Sequence, residues 1–444
     1  MDTITHGIAG ALIGKASFQG DDLFASRPMN RQRIVTWSTT LGAIFPDSDT
    51  FRDILSHHEL LVITWHRSIT HSLLCLPIFA ALLAALTWWF ARSRKWDAPS
   101  FAILTGIYAV GILSHILLDL ITSFGTMIWS PLRWSRPAWD LIFIVDFTFS
   151  GILLLPQILS WVHERPEKSK RRALISFVIF IFAIFAIGKL ADSVGAPVSA
   201  ASMLFFILIL AALFLLPLGS EREIPASASN TRRARQRIDS SPSPSLDIEV
   251  ASTKQNQPLH QRLDPTQIRL RWSRAGLILA GVYLALASST HYVALKRIES
   301  FARLQKLEVQ SIGALPLPPS LWRWDGLVRT PRGVYEVRMD VAHKSPFLNE
   351  SSASGSASPA IEYRFYPEAP PNVYIEAAKE LPAVKKVLWF DRFPITRFHE
   401  EGGESIVEFS DMRFPQIRSG QPASFTYRVR LGPAGNVLEQ GWAR

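Results

Sequence analysis

Six long apolar runs constrain this chain more than any other feature of it. They fall at about 70–91, 99–121, 141–161, 173–191, 197–218 and 275–294. Each is close to the roughly 20 residues that a helix needs to cross about 30 Å of hydrocarbon. Two shorter runs precede them, at about 4–18 and 33–46. Gly7, Gly10 and Gly14 in the first of these suit close helix packing, and the short pair either crosses fully or lies partly in the interface. Met1 is followed by Asp2 rather than a basic stretch, and no small-residue cleavage pattern follows, so no cleaved signal peptide is expected.

The charge distribution fits the same setting. Hydrophobic residues make up 48% of the chain and the formal net charge is +10. The basic residues fall in short loops between apolar runs, which is a topology signal rather than a nucleic-acid footprint, and no nucleic-acid partner is expected. Lys15, Arg27, Arg31 and Arg33, then Arg92, Arg94 and Lys95, then Arg165, Lys168, Lys170, Arg171 and Arg172 mark alternate loops, which places those loops in the cytoplasm. Counting eight crossings, the opposite face receives residues 47–69, 122–140, both termini and everything after about residue 295. The single cysteine, Cys75, excludes an intrachain disulfide or a thiolate metal cluster.

The expected architecture is a mainly α-helical polytopic membrane domain, six long plus two short hydrophobic helices, followed by a small C-terminal β-rich (α+β) soluble domain. Residues 1–218 form the membrane-embedded part. Residues 219–272, with Ser240 to Ser245 and Arg232, Arg233, Arg235 and Arg237, read as a disordered basic cytoplasmic loop. A last transmembrane helix is expected over 273–296, a proline-rich linker over 297–319, and the β-rich domain over 320–444. Alternating apolar and charged residues in Gly333 to Val341, Ile361 to Tyr366, Ser405 to Phe409 and Phe425 to Leu431 predict antiparallel strands, with one helix near 372–381 and a flexible loop at 351–358.

The chemistry-bearing residues gather on one face of this layout. Ionisable side chains at a bilayer edge are costly unless they pair, coordinate or react, and imidazole and carboxylate are the ligands of Zn²⁺ and related hydrolytic metals. His115 and Asp119 stand four apart on one helix, so their side chains share a face and can hold one cation or bridge two. In His66-Arg67-Ser68-Ile69-Thr70-His71, the two histidines flank the start of a helix that Thr70 or Ser68 could cap. His71 reads as a ligand, and His66 as a ligand or a solvated interfacial side chain. Arg67 suits a phosphate anion or, alternatively, a lipid headgroup. Ile4-Thr5-His6 repeats Ile69-Thr70-His71 and brings in His6. Pro46 turns the chain ahead of Asp47 and Asp49, with Asp47 read as a ligand and Asp49 as a second-metal bridge or the base that takes a proton from bound water. Asp140 and Asp146 read as groups that orient the histidines from behind. His57, His58 and Glu59 read as solvated.

The succession Asp2-Thr3-Ile4-Thr5-His6, Phe45-Pro46-Asp47-Ser48-Asp49, His66 to Ser72, and Ser114-His115 to Asp119 followed by Thr122-Ser123-Phe124-Gly125-Thr126 closely resembles the bacterial membrane-bound metal-dependent hydrolases of the YdjM type. Four ordered motifs cover about the first 150 residues. Leu321-Trp322-Arg323, Trp389 to Pro394 and Asp411-Met412-Arg413-Phe414 look like the extra C-terminal domain of the longer members, whereas the insert 219–272 departs from the compact pattern. The helix-borne His-x-x-x-Asp is similar to that of zinc-dependent phospholipase C and related nucleases, which implies phosphoester cleavage by two or three zincs.

The reading is therefore an inner-membrane, multi-pass hydrolase with its metal centre and C-terminal domain outside the cytoplasm. The expected ligands are His6, Asp47, His66, His71, His115 and Asp119, with Asp49 and Arg67 catalytic. The cofactor is a divalent metal, zinc first and manganese second. The expected substrate is a phosphoester or lipid-linked ester in the bilayer. Its rival is a non-enzymatic membrane protein in which a metal or polar cluster fixes helix packing and the C-terminal domain binds a partner. A transporter would spread its acids through the bilayer depth instead of gathering them at one face.

Overall fold

The computed structural model describes residues 1–17, 28–51, 60–193, 200–215, 265–318, 320–342, 363–414 and 425–443. His57, His58, Glu59, the loop 219–264 and the stretch 351–358 lie outside the described residues. The chain divides into two compact units, one of Met1–Trp161, Ser193–Ala196 and Arg269–Arg444, the other of Val162–Asp192 and Pro197–Ile268.

The first unit begins with helices α1 (Thr3–Ser17) and α2 (Pro28–Ile44). The side chain of Asp2 accepts from the backbone N–H of Thr5, which starts α1. The two helices run antiparallel in close contact, because a Cβ at Gly10 would sit 2.6 Å from that of Ala43. Helices α3 (Leu76–Ser93) and α4 (Phe101–Leu120) follow as a hairpin. Gly111 of α4 meets α2 as closely as Gly10 does, with its Cβ position 2.6 Å from the Thr39 carbonyl oxygen. Small residues thus let three backbones approach, the packing that lipid-embedded helices favour. On the far side, α3 exposes Ile78, Leu82, Leu86 and Trp89 in one stripe. An apolar stripe of that extent belongs against hydrocarbon.

Among the described residues, four helical stretches are long and apolar enough to cross a membrane: α3, α4, Glu167–Lys189 within α6 (Pro166–Ser193), and Gln267–Leu304 within α8 (Pro265–Leu304). The expected count of six long helices is not confirmed among these residues. The runs at 141–161 and 197–218 yield the shorter helices α5 (Phe147–His163) and α7 (Ala200–Leu215). For α5 the cause is local, since the Asp146 carboxylate accepts from the N–H groups of Thr148 and Phe149 and so fixes the helix start after the apolar residues 141–145. In the second unit α6 and α7 pack through Phe180 and Phe214, whose ring centroids are 5.8 Å apart.

Helix α8 has 40 residues, against an expected span of 273–296. At 1.5 Å per residue it is about 60 Å long, twice the hydrocarbon thickness. The excess has a use, because Ala294, Ile298, Phe301 and Ala302 at its C-terminal end form a core with Ala314, Trp324, Val328 and Val337 of the C-terminal domain. The stretch expected as a linker, 297–319, is therefore the end of α8 followed by strand β1 (Ser311–Leu317).

The C-terminal domain holds two four-stranded antiparallel meanders. The first is β1, β2 (Arg323–Thr330), β3 (Gly333–Asp340) and β4 (Arg364–Pro367). The second is β5 (Pro394–Glu401), β6 (Glu404–Asp411), β7 (Thr426–Leu431) and β8 (Val437–Trp442). Gly402 and Gly403, both at positive φ, close the β5–β6 hairpin, as a two-residue turn of matching twist requires. Leu315, Leu327 and Val334 of the first sheet meet Ile395 of β5 together with Phe393 and Met412, which flank β5 and β6. Where one helix was expected, two lie between the sheets, α9 (Val373–Lys379) and α10 (Pro382–Phe390), because Pro382 forces a new start. Their buried residues Ile375, Ala378, Val384, Val387 and Phe390 pack on β6 and β7, and Ile63 and Phe124 from the membrane-domain loops complete the same core.

Candidate metal centre

Three local structures deliver the convergent side chains. Pro46 ends α2 and starts a 3₁₀ turn, Phe45–Asp49, that carries Asp47 and Asp49. Arg67 adopts φ +62°, which reverses the loop and leads into the 3₁₀ turn Ile69–His71. The last two turns of α4 present His115 and Asp119 on one face. Together Asp47, His71, His115 and Asp119 offer one ligand atom each, all within 4.8 Å of one another.

The hydrogen bonds behind these groups fix which atoms carry lone pairs. His115 Nδ1 lies 2.7 Å from the Ala43 carbonyl oxygen. A carbonyl only accepts, so Nδ1 bears the hydrogen and Nε2 is bare. His71 Nδ1 lies 3.0 Å from Thr70 Oγ1 and 3.4 Å from Asp49 Oδ2, while the Thr70 hydroxyl donates to that same Oδ2. His71 Nε2 is therefore bare as well. Both bare nitrogens face Asp119 Oδ2, at 3.2 and 3.4 Å, and lie 3.0 Å from each other. Asp47 Oδ1 joins them at 3.5 Å from His115 Nε2. Four acceptor atoms thus meet with no donor among them, and Asp119 Oδ2 is buried without a hydrogen-bond partner. Such a meeting is repulsive unless a cation or proton sits at its centre. The residues fit a divalent metal: N and O donors, four in number, with the imidazoles oriented by a carboxylate and a carbonyl.

The other oxygen of Asp119 is fully engaged. Oδ1 accepts from the Met1 amino group, from Arg67 at 3.0 Å and from His6 Nε2 at 3.2 Å. His6 stacks on His115 with ring centroids 3.6 Å apart, so it lies beside the four-residue group and not in it. His66 is also outside the group, its Nδ1 2.9 Å from Asp49 Oδ1.

Asp49 is surrounded by donors: His66 Nδ1, the Arg67 backbone N–H at 3.0 Å, Thr70 Oγ1 and His71 Nδ1. Burial acts to raise its pKa, but the hydrogen bonds and charges of His66 and His71 outweigh it and hold the carboxyl well below the usual carboxylate range. Burial acts to lower His71, but the carboxylates of Asp119 first and Asp49 second outweigh it and raise its pKa, so that proton and metal compete for its Nε2.

Arg67 is 2% exposed, which removes the headgroup alternative for it. Its guanidinium reaches Thr122 Oγ1 at 3.1 Å and lies 4.9 Å from the Phe124 ring centroid. Arg136 covers the same ring at 4.8 Å and binds the carbonyls of Ile63, His66 and Gly125. Phe390 of α10 lies between Arg136, at 5.2 Å, and Arg413, at 4.6 Å. A stack of alternating guanidinium and phenyl groups, Arg67, Phe124, Arg136, Phe390 and Arg413, therefore runs from the cluster into the C-terminal domain. Arg136 was not singled out from the sequence. Nothing in Arg133-Trp134-Ser135-Arg136 distinguishes it from its exposed neighbour Arg133.

Asp140 and Asp146 do not orient the histidines. Asp140 forms a two-pronged ion pair with Arg392, at 2.9 and 2.8 Å, and ties the membrane-domain loop to the C-terminal domain. Asp146 caps α5 and accepts from the Tyr283 hydroxyl of α8 at 2.7 Å. Both oxygens of Asp140 accept from Arg392, and those of Asp146 from the start of α5 and from Tyr283, so each carboxylate is engaged away from the histidines of the cluster.

No curated protein and no solved structure matches the chain. Residues 1–192, which include the cluster, match the model of the YdjM inner membrane protein family, and over that stretch the chain is similar to that family.

Proposed function

We propose that this protein is a membrane-bound metal-dependent hydrolase acting on a phosphoester or lipid-linked ester. The observation that carries the reading is the donor-free meeting of Asp47, His71, His115 and Asp119. Asp47, His71, His115 and Asp119 would hold a divalent ion, zinc first and manganese second, which when bound would supply a water of lowered pKa and polarise an ester oxygen. The chain's own residues do the rest. The Ala43 carbonyl and Asp49 hold the two imidazoles in their ligating tautomers. Arg67 neutralises Asp119 and keeps a buried, unpartnered Nε–H beside the cluster, a donor suited to a phosphate oxygen. His6 supports the rings of the ligand set by stacking.

The cluster lies at the end of α3 and α4 opposite the basic loop Arg92, Arg94 and Lys95, and the positive-inside rule applied to that loop supports a reading in which the cluster and the C-terminal domain are extracytoplasmic. Its place at the ends of spanning helices favours a substrate carried in the bilayer.

Elemental analysis of detergent-purified protein tests the centre. Stoichiometric zinc or manganese in the wild type, lost in both H115A and D119A, is the expected result. Equal metal in all three, or none after reconstitution, overturns it. One observation favours a second reading: His71, His115 and Asp119 are fully buried, and the four candidate ligands equal in number those of a structural zinc site. A closed site of that kind is structural. X-ray absorption showing four protein ligands and no water oxygen, with no turnover of phosphoesters, would select it.

A further inference from the structure

We infer that a cleft between the Thr64–Trp65 segment and helix α10 binds the phosphate headgroup of an anionic phospholipid. The cleft has a volume of about 410 Å³ and is lined by Thr64, Trp65, Trp134, Lys385, Lys386 and Trp389. Trp65 directly precedes His66 and Arg67, so the cleft adjoins the loop that builds the cluster. Helix α10 supplies the opposite wall. It buries Val384, Val387 and Phe390 in the domain core and turns Lys385, Lys386 and Trp389 outward. The two walls are joined, because Trp389 Nε1 donates to the Trp134 carbonyl oxygen at 3.2 Å.

Depth and charge identify the occupant. Trp134 belongs to the segment between the end of α4 and the start of α5, where Trp129, Trp139 and Leu132 are also exposed, Leu132 to 81%. Indole side chains clustered at the ends of spanning helices lie at headgroup level. The cleft therefore opens where lipid phosphates are concentrated. Its charged lining is cationic and includes no acidic side chain among the described residues. Lys386 makes no ion pair with any described residue. Lys385 meets Glu380, which is 79% exposed, and a solvated pair of this kind yields readily to a competing phosphate. Three indoles add apolar surface that glycerol and the first acyl carbons can cover and that free phosphate would leave unused.

The inference goes beyond the hydrolase reading, since lipid retention does not require turnover. Native mass spectrometry of the full-length protein, released from detergent after exposure to phosphatidylglycerol or phosphatidylcholine, reads it directly. Metal content is measured on the same samples, so a failed metal centre and a failed lipid site register separately. The wild type is expected to retain phosphatidylglycerol over phosphatidylcholine. K385E/K386E should lose that preference by about thirtyfold or more, the effect of two lysines at an anionic surface. K386E should lose part of it, and K379E, on the neighbouring helix α9, none. An unchanged preference in K385E/K386E, or no preference in the wild type, overturns the inference. So does displacement of the lipid by millimolar inorganic phosphate, which would make free phosphate the ligand.

Discussion

Replacing Asp49 with asparagine separates two roles for this carboxylate. If Asp49 took the proton from bound water, D49N would abolish turnover and leave metal binding intact. Its surroundings argue otherwise. Oδ1 is 2.9 Å from His66 Nδ1, and Oδ2 accepts from the Arg67 N–H and the Thr70 hydroxyl while facing His71 Nδ1 at 3.4 Å. An asparagine keeps one acceptor and turns an NH₂ toward a donor, so the loop 66–71 loses its anchor. His71 loses the negative charge that favours the Nδ1–H tautomer. Carboxylates placed behind a ligating histidine contribute about 10–100-fold to metal affinity. D49N should therefore weaken zinc binding by that factor, about 1.4–2.7 kcal/mol. Titration of the detergent-solubilised apoprotein with zinc against a chromophoric chelator measures it, with D119N as the reference for loss of a ligand. A D49N dissociation constant equal to that of the wild type refutes the argument. Loss of phosphoester turnover at unchanged affinity would return Asp49 to the role of base.

Three further outcomes follow from packing and charge. F124A removes the ring between Arg67 and Arg136 together with its place in the C-terminal core, and should lower stability by about 3–5 kcal/mol in denaturant unfolding, with F124L costing much less. D140N and R392M, combined in a double-mutant cycle, should show a coupling energy of about 1–3 kcal/mol, and additive effects would mean that the two-pronged pair does not hold the domain to the loop. Burial and the nearby Glu336 push Asp325 up to about 7 from 3.8, so folding favours its protonated form. Its contribution is complete below pH 3.8 and is lost as pH rises through about 7. The melting temperature of the wild type should fall across that interval relative to D325N, and parallel curves for the two proteins would contradict this environment for Asp325.

The cluster was legible because its residue types are costly where they stand. His115 and Asp119 near the outer end of an apolar run have few inexpensive explanations, and their spacing of four fixes a shared face whatever else the chain does. The same reasoning failed for Asp140 and Asp146. A lone carboxylate near a bilayer announces that it needs a partner, not which one, and the partners are Arg392 and Tyr283, 252 and 137 residues away. Helix lengths failed for a related reason. Hydropathy measures how apolar residues 141–161 are, but Asp146 sets where the helix begins by capping it, and that leaves α5 with 17 residues. His6 and His66 read from the sequence as ligands and lie outside the four-residue group, because only three-dimensional placement separates a ring stacked on a ligand from a ligand.

The C-terminal domain shows the limit most clearly, and also what it contributes. From sequence it is a β-rich appendage joined by a proline-rich linker. In the structure Pro316 lies within β1, and the end of α8 is built into the first sheet. Phe390 and Arg413 extend the stack that begins at Arg67, and Arg413 also donates to the carbonyls of Ser123 and Phe124 in the loop after α4. Arg67 is held between Asp119 on one side and Phe124 on the other. A shift of the domain would therefore move the guanidinium that neutralises Asp119, and with it the charge balance at the four convergent acceptors. The domain is coupled to the centre through packing and cation–π contacts, without supplying any of its four candidate ligands.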